Sequence, residues 1–219
     1  MTAIIFDLDG TLVDSVSAIC DIANAYMTER GLPLLNIDEA RGYIGHGSPH
    51  FLTTALKARE GGYDAGLFDT HFTRFQELYA SAPGEANIPY PGVEAALQSL
   101  KRSGSKLAVC TNKPGAPTKI VLDAHGWDKI FDTVIAGDTL TKRKPDPEPL
   151  YEASRRLGRG RVFYVGDSDV DAETAEAAGI PFFLFTEGYR HAAIEDLPHA
   201  VAFSDFHELP RLIREFAAR

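Results

Sequence analysis

Ala3-Ile4-Ile5-Phe6-Asp7-Leu8-Asp9-Gly10-Thr11-Leu12-Val13-Asp14-Ser15 is the stretch from which the fold can be read. Its first four residues are apolar. The run is too short for a helix and too uniformly apolar for a half-exposed strand, so it predicts a buried strand. Two carboxylates follow at once, and then a glycine that lets the backbone turn sharply. In an open parallel sheet, ligands sit beyond the carboxyl ends of the strands. Acids crowded there are costly unless something cationic joins them. Asp7 and Asp9 are therefore candidate site residues.

Similar apolar runs recur at 106–110, 133–136, 161–165 and 182–185, with a short last one at 201–203. Helical patterns separate most of them, at 92–103, 116–125, 147–157 and 170–178. This alternation predicts an α/β fold: a Rossmann-like, mostly parallel sheet with helices on both faces. One stretch breaks the rhythm. Between the first two of these strands lie about a hundred residues with no convincing strand, in a chain whose local patterns repeat on a far shorter scale. Segments 15–30, 50–57 and 67–79 carry helical periodicity there, with breaks at Gly31-Leu32-Pro33 and Gly61-Gly62. We expect a small all-α cap over 15–86 inserted into an α/β core of 1–14 and 87–219.

Composition narrows the function. The hydrophobic share of 44% and charged share of 24% are those of an ordinary globular chain. A formal charge of −9, with no basic run longer than Lys142-Arg143-Lys144, argues against nucleic acid and against an anionic membrane surface. Two cysteines, Cys20 and Cys110, are too few and too far apart for a disulfide framework or a metal motif. A reducing, cytoplasmic setting fits them best. No basic, apolar leader precedes the first strand, and no apolar stretch approaches a membrane span.

Three further motifs fall at strand ends or helix starts. Thr111-Asn112-Lys113 follows the second of these strands and offers a hydroxyl, an amide and an ammonium to phosphate oxygens. Lys144-Pro145-Asp146-Pro147 opens a helix, and its lysine can neutralise crowded carboxylates. Gly166-Asp167-Ser168-Asp169-Val170-Asp171 ends another strand. Asp167 there completes a set of oxygen ligands of the kind Mg²⁺ prefers, and Asp169 is positioned to cap the next helix. Taken singly, the first two of these are ordinary polar turns. Their order along one sheet edge is what carries meaning.

With these four motifs in order, the chain resembles the haloacid dehalogenase superfamily of phosphohydrolases, and the helical insertion is similar to that family's cap. The resemblance implies roles. Asp7 would attack phosphorus and form an aspartyl phosphate. Asp9 would protonate the leaving oxygen and then activate water, which requires it to carry a proton when it acts. Thr111 and Lys144 would hold the phosphoryl group. Asp7, the backbone carbonyl of Asp9 and Asp167 would bind Mg²⁺, with Asp171 in support. An aspartate at position 9 separates this chain from the metal-independent dehalogenases. Three further segments resemble phosphoglycolate phosphatases: Arg41-Gly42-Tyr43-Ile44-Gly45-His46-Gly47, Thr111-Asn112-Lys113-Pro114, and Thr186-Glu187-Gly188-Tyr189. They mark Arg41, Gly45, His46, Asn112 and Lys113 as candidate substrate contacts. The implied partner is a small phosphorylated metabolite, handled by a monomer or homodimer. A β-phosphoglucomutase, an inorganic pyrophosphatase, a broad sugar or nucleotide phosphatase and a non-catalytic binding protein remain alternatives. The absence of lysine from 15–30 counts against a Schiff-base phosphonatase.

Overall fold

A computed structural model of the chain describes residues 2–59, 63–158 and 160–218. The expected helix breaker Gly61-Gly62 lies outside the described residues. Strand β1 (Thr2–Phe6) occupies the middle of a six-stranded sheet. Two more strands flank it as neighbours, β4 (Lys106–Cys110) and β6 (Arg161–Gly166). Beyond them lie β5 (Thr133–Ile135) on one side, and β7 (Phe182–Phe185) then β8 (Val201–Phe203) on the other. Every pairing in this sheet is parallel.

Successive side chains of β1 point to opposite faces, and each face has its own core. Ile4 and Phe6 pack with α5 (Val93–Arg102), α6 (Gly115–Ala124) and α9 (Leu209–Ala217), around the buried Trp127. Ala3 and Ile5 pack with α7 (Glu148–Leu157) and α8 (Asp169–Ala178). The expected α/β sheet with helices on both faces is the observed fold.

The insertion is helical, with its own apolar cluster. It holds α1 (Val16–Glu29), α2 (Ile37–Tyr43), α3 (Ser48–Lys57) and α4 (Phe68–Ser81). Its centre is aromatic: Tyr26 meets Phe75 edge-on, and Phe75 stacks on Phe51 and Tyr79.

Four elements escape the sequence patterns. Helix α2 is short and mostly exposed, so it shows little periodicity. Its start is set by a capping box, in which Asn36 and Glu39 each accept the other's backbone N–H. Helix α9 closes one face of the sheet. The long stretch expected to lack strands begins and ends with a two-residue antiparallel ladder, β2 (Val13–Asp14) against β3 (Ile88–Pro89). This ladder ties together the two crossings between helices and sheet, and two residues are too few to leave a hydrophobic period.

Candidate active site

β4, β1 and β6 lie side by side, and the residue after each is a predicted site residue: Thr111, Asp7 and Asp167. The chain runs from β1 outward to β4 and β5, then returns to β6 on the other side. The carboxyl ends of these central strands therefore form the crevice of a topological switch point.

The loop after β1 turns back on itself, with the Thr11 and Leu12 N–H groups donating to Leu8 O. Gly10 makes this possible. Its φ is +85°, and a Cβ there would fall 2.4 Å from Asp167 Oδ2. Asp167 itself is fully buried. It accepts Thr11 Oγ1 at 2.6 Å and the Tyr189 N–H at 2.7 Å.

Lys144 is buried as well, and the carboxylates define its place. Its Nζ donates to Asp171 Oδ1 at 2.7 Å and to Tyr164 Oη at 3.0 Å, and lies 3.0 Å from Asp7 Oδ1. Asp171 is bonded from all sides. Tyr164 donates to its Oδ1, and Ser168 Oγ and two backbone N–H groups donate to its Oδ2. Ser168, rather than the expected Asp169, caps α8. Its Oγ accepts the Asp171 N–H, because Asp169 already accepts the His191 and Ala192 N–H groups from the loop after β7.

Asp7, Asp167 and Asp171 bring ligand oxygens within 4.8 Å of one another. Of these three buried carboxylates, the Lys144 ammonium meets only Asp7 and Asp171. Burial pushes the Asp7 carboxyl up to about 7; Lys144 pulls it back, and the charge of Asp171 adds to the rise. Burial, followed by the charges of Asp171 and Asp7, holds Asp167 well above the usual carboxylate range. Asp171 is different: burial raises it, but Lys144 and its hydrogen bonds outweigh burial and hold it low. Asp7 Oδ1 is buried without an aligned hydrogen-bond donor, since Lys144 meets it only as an ion pair. A crowded all-oxygen set with an orphaned carboxylate oxygen fits a hard divalent cation. Asp7 and Asp167 have capacity for one; the oxygens of Asp171 are already engaged.

Asp7 and Asp9 face a cleft of about 470 Å³, part of it open to solvent, together with Thr111, Asn112 and Lys113. Lys113 Nζ donates to Asp9 Oδ1 at 2.8 Å and to Tyr79 Oη at 3.1 Å. Burial would lower the lysine, but Asp9 and Tyr79 outweigh it and hold it charged. Asn112 joins the helices to the sheet. Its amide donates to Gly45 O and Lys144 O, each at 3.0 Å, and its Oδ1 accepts the Lys144 N–H at 3.1 Å.

The helical insertion supplies the roof: Ile19, Ile44, Gly45, Gly47, Ser48, Phe51, Phe75 and Tyr79. Two expected contacts do not reach the cleft. Arg41 is exposed on the last turn of α2, and His46 is exposed with its ring 4.8 Å from that of His50. For His46 the physical reason is the flanking backbone. Gly45 and Gly47 both take positive φ, +123° and +85°, which presents the glycines to the cleft and turns the intervening side chain away. Sequence reasoning passed over Phe51, Phe75 and Tyr79 because helical spacing marks such residues as core, and Ser48 because it falls between the segment ending at Gly47 and the helix expected from 50. The Gly188-Tyr189 segment was the available signal for Tyr189. Cys110 is a buried thiol, as expected, pushed up to about 12 by burial.

Residues 4–185 match the family described as haloacid dehalogenase-like hydrolase. The chain belongs to this family of hydrolases. It is 44% identical over 218 residues to a phosphoglycolate phosphatase of Cereibacter sphaeroides, covering both chains in full. A phosphoglycolate phosphatase of Rhodobacter capsulatus is 42% identical, over 96% of each chain. Among solved structures, one described as a predicted phosphoglycolate phosphatase from Haemophilus somnus superposes with a TM-score of 0.88. It is 29% identical, and the match covers 96% of this chain and 97% of that one.

Proposed function

We propose that the chain is a Mg²⁺-dependent phosphoric monoester hydrolase that converts 2-phosphoglycolate to glycolate and phosphate through an aspartyl phosphate. Residues 15–86 are then its cap and the remainder its catalytic core. One observation carries the chemistry. The carboxylate after the central strand is buried among acids, beside one lysine, with an oxygen that no donor aligns on. The substrate rests on the full-length likeness to phosphoglycolate phosphatases.

In this reading, an Asp7 oxygen attacks phosphorus, and the ester P–O bond breaks. Asp9 gives its proton to the departing glycolate oxygen. Water then attacks the phosphorus of the aspartyl phosphate and passes a proton to Asp9. The bond to Asp7 breaks, and phosphate and both carboxyl groups are restored. Thr111 and Lys144 hold the phosphoryl oxygens, and Asp171 fixes Lys144 from behind. Asn112 and Lys113 meet the substrate across the cleft. Asp7, Asp167 and the Asp9 carbonyl would hold Mg²⁺, which supplies charge neutralisation as phosphoryl transfer proceeds. The helical roof shields the cleft from bulk solvent during phosphoryl transfer. Arg41 and His46 have no part in this reading, because both sit outside it.

A phosphate-release screen with Mg²⁺ tests the proposal, comparing kcat/KM for 2-phosphoglycolate, sugar phosphates, nucleotides and pyrophosphate. A preference for 2-phosphoglycolate, absent in Asp7→Asn, is the expected result. A preference for another ester would keep the mechanism and replace the substrate. Turnover surviving in Asp7→Asn would remove the mechanism.

A further inference from the structure

Few buried side-chain polar atoms among the described residues lack a hydrogen-bond partner, and two of them belong to residues that line the same cleft. One is Asp7 Oδ1, at the end where phosphorus would sit. The other is the Oγ of Ser48, a residue only 8% exposed. Native structures rarely leave a buried hydroxyl unpaired, so such a group points to a partner that arrives later.

The surroundings of Ser48 say what that partner is. Ser48 is the first residue of α3, which runs for ten residues. The first intrahelical bond there is from the Phe51 N–H to Gly47 O, so the amides before it have no partner within the helix. Pro49 contributes no N–H at all. The positive end of the helix dipole therefore lies at Ser48. The adjoining wall is apolar, made by Ile44, Phe51 and Phe75, and the ammonium that lines the same cleft, Lys113, is already ion-paired with Asp9. An unpaired buried hydroxyl at a helix N-terminus suits a carboxylate.

Its distance from the nucleophile is also fixed. Asn112 donates to Gly45 O on one side and Lys144 O on the other, and a Cβ on Gly47 would lie 3.1 Å from Asn112 O. The start of α3 is thus held against the loop that carries Thr111.

We infer that Ser48 and the N-terminus of α3 receive the carboxylate of the substrate, making Ser48 a specificity-determining residue. The inference deepens the proposed function and rests on it for the identity of the substrate. The site selects for a negative charge at the far end of a short phosphate ester, where a sugar or a plain alkyl phosphate offers none.

Calorimetric titration with two non-hydrolysable ligands tests this, with Mg²⁺ present throughout. The ligands are 3-phosphonopropionate, which carries the carboxylate, and propylphosphonate, which does not. Ser48→Ala should weaken 3-phosphonopropionate by roughly 10- to 100-fold, the range for a hydrogen bond to a charged group. Propylphosphonate should change by less than about twofold on the same scale. The thermal midpoint of Ser48→Ala should equal or exceed that of the wild type, because the hydroxyl has no partner in the unliganded fold. Ser48→Thr should restore much of the lost affinity. Equal weakening of both ligands, or of neither, overturns the inference. These outcomes are independent of turnover. The substrate reading fails separately, if the wild type does not prefer 2-phosphoglycolate to ethyl phosphate.

Discussion

At the scale of single residues, the site is a problem in charge. Asp7, Asp167 and Asp171 are buried together, Lys144 reaches only Asp7 and Asp171, and only Asp171 has enough donors to stay comfortably ionised. Burial pushes the Asp7 carboxyl up to about 7, more than Lys144 offsets. A carboxyl raised in the folded state stabilises the fold at acid pH, and that contribution is lost as pH rises from 3.8 to about 7. A bound cation would reverse the balance by favouring the carboxylate. Mg²⁺ binding should therefore release protons below neutral pH, and its affinity should climb as pH rises from 6 to 8, by at most about tenfold per unit for each proton released. Titration calorimetry in buffers of different ionisation heat measures this directly. Asp7→Asn should release fewer protons. An affinity that is flat with pH would show that the acids are already ionised.

At the scale of elements, α1 and α4 meet through a buried histidine. His71 Nδ1 lies 2.7 Å from Tyr26 Oη and 3.2 Å from Arg30 Nη1. Arginine can only donate, so Nδ1 must accept, and the neutral imidazole is the form that fits. Burial first, and then the Arg30 charge, hold His71 below its usual value, with Asp64 opposing. The unfolded chain then binds a proton that the folded chain refuses. Stability from this group is complete above 6.5, the ordinary histidine value, and declines as pH falls below it. The gap in melting temperature between wild type and His71→Gln should narrow from pH 7.5 to pH 5.5. The opposite trend from Asp7 is common to both proteins and cancels in the difference. A constant gap would mean that His71 does not titrate in this range. Elements also show where sequence patterns lose their grip. The central strands were legible because they are buried on both faces over most of their length. Helix α2 was not, since its identity rests on the Asn36–Glu39 cap rather than on an apolar stripe.

At the scale of the whole molecule, the question is how the helical insertion is seated on the sheet. Tyr189 comes from the loop after β7, yet it is buried in the apolar cluster of α1–α4. Its hydroxyl accepts the Ser15 N–H at 2.7 Å and the Val16 N–H at 3.1 Å, and donates to Asp14 Oδ1 at 2.8 Å. Its own N–H holds Asp167. One residue therefore fastens the start of α1 and an acid of the site together. Tyr189→Phe keeps the ring and the backbone N–H but takes the hydroxyl from the Ser15 N–H, while the Val16 N–H and Asp14 Oδ1 still meet at 3.2 Å. It should cost about 1–3 kcal/mol of stability, read from urea unfolding. An unchanged midpoint would show that water or a shift of α1 takes over the role.

What the sequence determined by itself follows from local rules. Buried strands are continuous apolar runs, and chemistry collects at their ends. Asp7, Thr111 and Asp167 could be picked out as strand-end groups before their neighbours were known. What only the tertiary structure decided depends on distance across the chain. The pairing of Lys113 with Asp9, the grip of Asp171 on Lys144, and the placing of Ser48 rather than His46 at the cleft all join residues from separate elements. Local pattern records how a segment folds. It does not record which side chain a glycine-flanked turn will present, because that follows from φ angles and from the surface the turn is pressed against.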